Sequence, residues 1–463
     1  MIGLIKTKKR SLSLFLIVLA IAACTQYFEP VWQMSLEGGG TKRIFASPDN
    51  ESIIMISNDN SDLMVQRYDL SGKLIDEQIL EDSYISFLTL NQTIETNTKT
   101  VYLAHFHHPT FGFEEMLRFD LDTYELTPAF PAEFYEKYSE IYGGEPAIEA
   151  DGSLVLAGGA KSITTGEIEY YIGRLTPDGD FEYQIIEEAL YTTKAISLHG
   201  SDQYALVAHY FAEQQEITGY RSRVIFYDAS LEVINSFDLE NSFTASWGFE
   251  DRLWGHYGGV GPVFFMTDGS IETTEVDYPS YSNNQVFYHD DWFYFITTRY
   301  EDALGGADAF NDICRFTYSI EPLNCFQVNN KHIEDIQILA NGDLGMSTIA
   351  KRLYANGGAI DLNKAETTIS ANATLLGYDE TQVYHMVFAP DGTEKLKIQR
   401  KPFRGHGPIT LSNFDVFYPL IRDYTSVERG VQGTHSTVFF DSERLATISV
   451  FSDYAQTFEF WQQ

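Results

Sequence analysis

The chain of 463 residues lacks most of the local patterns that announce chemistry. It holds only three cysteines, with no CxxC spacing and no Cys/His cluster, which sets aside a structural zinc site and a catalytic thiol pair. GxSxG, a Walker loop, HExxH and a GxGxxG following a strand are also absent. No nucleophile, cofactor or metal is therefore implied. Prolines number 14 and no tract is compositionally biased, which argues against a long disordered segment. Bases are scarce, with 31 Lys and Arg against 66 Asp and Glu, so nucleic acid and anionic head groups are disfavoured as bulk partners. Asp59, Asp62, Asp120 and Asp122 lack the DxDxDG framing of a calcium loop and read as solvated turn carboxylates.

What the chain has in quantity is aromatic rings, 29 Tyr and 33 Phe, which favour strands. Their use is clearest between Glu149 and Ile186. Asp151-Gly152 and Asp178-Gly179 supply positive φ for tight hairpins. Around them lie strand-like runs at Ser153–Ala157, Tyr170–Leu175 and Phe181–Ile186, preceded by one ending near Glu149. That is a four-stranded antiparallel meander of roughly forty residues, the size of a propeller blade. Its outer-hairpin turn recurs in the segments starting at Arg67, Arg118, Arg174, Ile225 and Phe264, and again from Arg315 and Ala359. The turns are spaced about 40 to 55 residues apart, within the range of blades.

The expected fold is therefore an all-β propeller of seven four-stranded antiparallel blades. Ile409 to Val450 reads as the last, while Leu375 to Arg400 is short for a full blade and leaves an eighth open. A ring of such sheets leaves no long free edge and needs no helices. Val31–Leu36 is the strand expected to complete the last blade, giving a single domain over residues 31–463.

The first 23 residues read as a signal peptide. Lys6, Lys8, Lys9 and Arg10 form a basic region, followed by an apolar run from Leu12 to Ala22 that is too short to span a bilayer. It ends in Ile21-Ala22-Ala23-Cys24, which resembles a bacterial lipobox. The resemblance implies cleavage before Cys24, acylation of its thiol and new N-terminus, and a tether over residues 24–30. At about 0.8 kcal/mol per buried methylene, three acyl chains hold a protein on a membrane essentially permanently. Thr25 stands where an aspartate signals inner-membrane retention, which implies the outer membrane, facing periplasm or surface. Cleavage removes four of the 31 bases and no acid, leaving 27 against 66 and a net charge of −39.

Cys314 and Cys325 flank a hairpin, CRFTYSIEPLNC. With Ser319-Ile320 as a two-residue turn, Tyr318 faces Glu321, Phe316 faces Leu323 and Cys314 faces Cys325. In an oxidising compartment a disulfide is expected there.

The Glu149–Ile186 stretch resembles one delta-60 repeat of bacterial surface proteins, in which DGxxLVAG and xRLxxDGxxD recur. The double glycines at Gly158-Gly159, Gly258-Gly259, Gly305-Gly306 and Gly357-Gly358 are similar to those of kelch blades, without the kelch Tyr and Trp pair. In layout alone, the anchored propeller resembles the lipoprotein propeller of the outer-membrane β-barrel assembly machine.

Side chains that end the second strand of each blade share one face of a propeller. His105-Phe106, His209-Tyr210, His256-Tyr257 and Arg299-Tyr300 stand at such ends, and Arg422 with Tyr424 at about the same place in the last blade. They are expected to gather round the channel mouth, where bases on an acidic chain can hold a carboxylate, phosphate or sugar acid. Long loops are expected to follow, at His107–Glu115, Lys161–Glu169, Phe211–Ser222, Glu301–Asp312 and Ser426–His435. The function expected is a non-enzymatic, membrane-tethered binding or scaffold propeller for a protein or glycan, an assembly accessory being one form of it. The alternative is a polysaccharide hydrolase or lyase with carboxylate and histidine chemistry in the mouth. Paired carboxylates beside His209 or His256 mark the enzyme; a flat apolar rim marks a protein partner.

Overall fold

The computed structural model describes residues 29–36, 42–59, 62–80, 86–87, 100–108, 112–123, 125–143, 147–149, 151–186, 192–214, 217–273, 283–289, 292–300, 309–317, 321–329, 331–355, 358–359, 374–411, 420–422, 426–428, 430–451 and 455–463. Among the described residues, hydrogen bonding groups the strands into six sheets. Three are single four-stranded meanders, two hold a pair of meanders each, and the last holds one meander with an extension, which makes eight meanders. In chain order their second strands are Ser52–Asp59, Thr100–His108, Leu154–Ser162, Gln203–Gln214, Arg252–Tyr257, Trp292–Tyr300, Leu344–Ala355 and Arg444–Phe451. These define blades 1 to 8 below.

Second strands read as apolar runs such as LVLA, YALVA and FYFI because both their faces are covered. One face packs on the preceding blade and the other on the next. In blade 4, Tyr204, Leu206 and Ala208 face Val155 and Ile172 of blade 3, while Ala205 and Val207 face Leu253 and Val263 of blade 5. The same arrangement runs round the molecule. Ile54 and Leu63 of blade 1 meet Phe119 of blade 2, and Met116 of blade 2 meets Leu154 and Tyr171 of blade 3. Trp247 and Trp254 of blade 5 meet Phe293 and Phe295 of blade 6, whose Tyr294 and Ile296 meet Leu344 and Met346 of blade 7. Val387 and Ile398 of blade 7 meet Leu445 and Trp461 of blade 8. Ile448 and Phe458 of blade 8 return to Ile44 and Ile53 of blade 1. The cores close a circle, and the fold is an all-β propeller.

The closure joins the two ends of the chain. Trp32–Leu36 pairs antiparallel with Gln456–Gln462 as the fourth strand of blade 8, with Trp32 opposite Phe460. Trp32 stacks on Phe460, sets its edge against Phe458 and donates Nε1–H to the Leu70 carbonyl of blade 1 at 2.8 Å.

Two faces follow from the meander. On the turn face, first strands meet second and third meet fourth; on the hairpin face, second strands meet third. The outer turns of the turn face share a device. Asp69, Asp228 and Asp268 each accept the hydroxyl of the serine two residues on, at 2.5, 2.7 and 2.6 Å. That hydroxyl holds each carboxyl below the usual carboxylate range.

Several sequence expectations are corrected. The Ala359 segment is not an outer turn: Gly358–Ala359 folds back on Tyr354–Ala355, and residues 360–373 lie outside the described residues. The outer turn of blade 7 is Ala389–Thr393, inside the stretch that looked too short for a blade. Ile409–Val450 is not one blade either. Phe403–Leu411, Leu420–Arg422 and Ser426–Glu428 extend the sheet of blade 7, and blade 8 begins at Val431. The physical reason is length: Leu344–Ala355 and Thr374–Phe388 stay paired well beyond the apolar run that packs the ring. Among the described residues the expected long loops are in part ladder for the same reason, residues 109–111, 215–216, 301–308 and 429 lying outside the described residues. His108 pairs with Gly112, Lys161 with Ile168 and Gln214 with Ile217. A short helix, Ala132–Lys137, enters an expectation of none; its Phe134 is buried among Phe130, Tyr138, Tyr171 and Phe181.

Cys314 and Cys325 are cross-strand partners joined by a disulfide, with Cα atoms 4.1 Å apart. A bulge after Arg315 sets Phe316 opposite Pro322 rather than Leu323, and the proposed turn residues 318–320 lie outside the described residues. Replacing both cysteines by serine is expected to cost about 2 kcal/mol, somewhat under the loop-entropy value because the ladder persists without the bond. Urea midpoints with and without reductant check this, the doubly substituted protein being insensitive to it.

Candidate functional site

The hairpin face carries four of the five predicted pairs. His105 and Phe106 lie near the end of the second strand of blade 2, with a register shift between them. His209 and Tyr210 lie in that of blade 4, opposite Ser222 and Arg221. His256 and Tyr257 end that of blade 5, and Arg299 and Tyr300 that of blade 6. The fifth pair departs from the pattern. Arg422 sits opposite Ile409 on the blade 7 extension, not on a second strand of the last blade, and Tyr424 lies outside the described residues.

His209 does not form the channel wall. A second strand stands one strand spacing, about 4.8 Å, outside the first. His209 illustrates the result. Its parity matches Ala205 and Val207, so it enters the cleft between blades 4 and 5. There its Nδ1 lies 2.9 Å from Ser222 Oγ, which also accepts the Phe243 backbone N–H at 2.7 Å. Tyr257, opposite Phe243, packs half-buried on the same cluster. Desolvation pushes the His209 imidazole below its usual pKa, so at neutral pH the ring is uncharged. It caps a cleft and adds no positive charge to the mouth. His256, by contrast, is exposed.

Exposed side chains on first strands can face only the channel or its mouth. Toward the hairpin face these include, among the described residues, Thr244 of blade 5 and His332 and Glu334 of blade 7, with half-buried Arg43 of blade 1 and Lys194 of blade 4. Sequence reasoning missed them because it weighed only second-strand ends. The available signal was Lys42-Arg43 at the head of an otherwise apolar strand and Lys194 just before the apolar Ala195-Ile196.

Behind this wall lies a buried polar seam between blades 7 and 8. Asp335 accepts the backbone N–H of Thr437 at 2.8 Å and of Ile336 at 3.0 Å. Burial pushes its carboxyl up to about 6, against the pull of Arg43. Ser347 Oγ lies 2.8 Å from His385 Nδ1 and donates to Thr437 Oγ1 at 2.8 Å. Complete burial drives the His385 pKa down to about 3, which keeps it neutral. Among the described residues no group of three or more His, Cys, Asp or Glu side chains is placed to hold a metal ion.

No protein-family model matches the chain, so the delta-60 resemblance of blade 3 stays one of local pattern. No curated protein matches it either. Solved structures that are similar include the computationally designed protein Ika8, at 9% identity over 92% of this chain and 98% of that one, with a TM-score of 0.42. BamB from Moraxella catarrhalis is 12% identical over 94% and 99% of the two chains, with a TM-score of 0.33. The WD40 domain of SCAP from fission yeast is 8% identical over 93% and 98%, with a TM-score of 0.38. The class is that of a β-propeller, and the eight meanders with their closed circle of cores carry that assignment.

Proposed function

We propose that the chain is a lipid-anchored, non-enzymatic binding propeller of the bacterial envelope that engages a protein through its hairpin face. The observation carrying this reading is the apolar rim of blade 3. Ile163 and Ile168 flank its hairpin tip, Ile185 lies on the neighbouring outer strand, and all three are exposed. Exposed apolar side chains grouped on one face of an otherwise acidic surface favour a protein over a glycan. The enzyme reading has less support, since His209 gives its Nδ1 to a serine hydroxyl rather than to a carboxylate.

A photo-crosslinking residue at exposed Thr164, between the two isoleucines, tests the reading against one at exposed Ala229 on the turn face. In intact cells a discrete protein adduct is expected at position 164 and none at 229. Equal labelling at both positions, or none at 164, would remove the proposal.

A further inference from the structure

We infer that the rim where blades 8 and 1 meet on the turn face rests on the bilayer, so that the hairpin face points away from the membrane. This deepens the proposed function and rests on acylation of Cys24.

The closing strand begins on the turn face. Trp32 is fixed there by its bond to the Leu70 carbonyl and by packing on Gly72, where an added Cβ would approach its ring to 2.9 Å. Val31, one residue before it, is 59% exposed. Two residues after Gly72 the outer strand of blade 1 begins with Leu74 and Ile75, both exposed, the latter by 51%. Three of the twelve large apolar side chains left exposed among the described residues therefore lie at the turn-face ends of two adjacent outer strands or their lead-in.

Tether length decides what covers them. Seven residue steps separate Cys24 from Val31, so the rim stays within about 25 Å of an acylated Cys24 even if the segment is fully extended. Such a tether raises the effective concentration of lipid at this rim, which lets a small apolar patch bind. Glu29, Asp69, Asp76 and Glu77 lie beside the patch against one exposed base, Lys73, and the turn face carries the low-pKa carboxyls of Asp228 and Asp268. The surface that fits is therefore zwitterionic; an anionic leaflet would repel it.

The test uses the acylated chain in phosphatidylcholine vesicles carrying a quencher in the acyl region. Ile75→Cys is labelled with a fluorophore, Cys314 and Cys325 being bonded to each other and Cys24 acylated; Val233→Cys, exposed on the outer strand of blade 4, is the control. The label at 75 is expected to lose most of its emission and the label at 233 to keep it. Equal emission at both sites in vesicles that carry the protein would overturn the docking alone. If the wild-type chain does not float with vesicles, or Cys24→Ala floats as well as wild type, the anchor fails and the docking with it. Shielding of position 75 from an aqueous quencher in the soluble Cys24→Ala protein would mean that another chain covers the rim, and would also overturn the docking.

Discussion

Replacing Glu459 by alanine is expected to cost about 3–5 kcal/mol, because it leaves a buried guanidinium without its counter-charge. Glu459 has no exposed surface and receives both terminal nitrogens of Arg400, Nη2 at 2.8 Å and Nη1 in a shorter contact, with Ser449 Oγ donating at 2.8 Å. The other side of the guanidinium lies over Trp461, 4.4 Å from the ring centroid. Arg400 comes from the break between the outer strand of blade 7 and its extension, where its N–H bonds the Val383 carbonyl at 3.0 Å. The pair thus ties the departing extension to the third strand of the closing blade. Arg400→Lys is not expected to be tolerated, since an ammonium cannot make the two-pronged contact or the flat stacking. The double change Arg400→Met with Glu459→Leu is expected to recover most of the loss, because it removes both charges from the seam. Urea unfolding of the two single variants and the double one measures the coupling. A Glu459→Ala loss below about 1 kcal/mol would show that solvent reaches the pair.

Asp335→Asn is expected to stabilise the protein by about 3 kcal/mol at pH 7 and to change little below pH 4. Burial raises the folded-state pKa from 3.8 to about 6, so between these values the native chain binds the proton more readily than the unfolded one. Stability from this group is therefore fully present below pH 4, falls as pH rises through 6, and is flat above. Asparagine keeps an oxygen for the Thr437 N–H and stays neutral throughout. Asp49, Asp69, Asp228, Asp268 and Asp391 contribute the opposite slope, being held low by nearby hydroxyls and backbone N–H groups. The informative quantity is thus the difference between variant and wild-type denaturation free energies across pH 4 to 8. A flat difference would mean that the carboxyl ionises in the fold as it does in water.

Much of the ring was legible because its instructions are local. Gly152 and Gly179 adopt φ of 85° and 93°, as their Asp-Gly turns require, and the strands they bound fall within a few residues of expectation. The cysteine pairing was legible as a cross-strand register, and the bulge after Arg315 that shifts Phe316 leaves it in place. Where a ladder outruns its buried core, local signals fail. Residues such as Glu213 and Thr218 pair as regular strand, yet a polar stretch between two strands reads as a loop. The Arg400–Glu459 pair and the Asp335 to Thr437 bond join partners far apart in the chain and have no spacing to read. His209 departs from the expected mouth position for a geometric reason: sequence tells which strand ends share a face, but not that the first strand stands between the second and the axis.

Closure by Trp32–Leu36 has a consequence for biogenesis. The strand that completes the ring is the first described strand in the chain, and its partner Gln456–Gln462 is the last. Every shorter nascent chain leaves Phe458 or Phe460 uncovered or missing, together with an unpaired strand border open to aggregation. Synthesis must therefore pass Gln462 before the circle shuts, and a chain cut short ahead of that strand is exposed to proteolytic quality control.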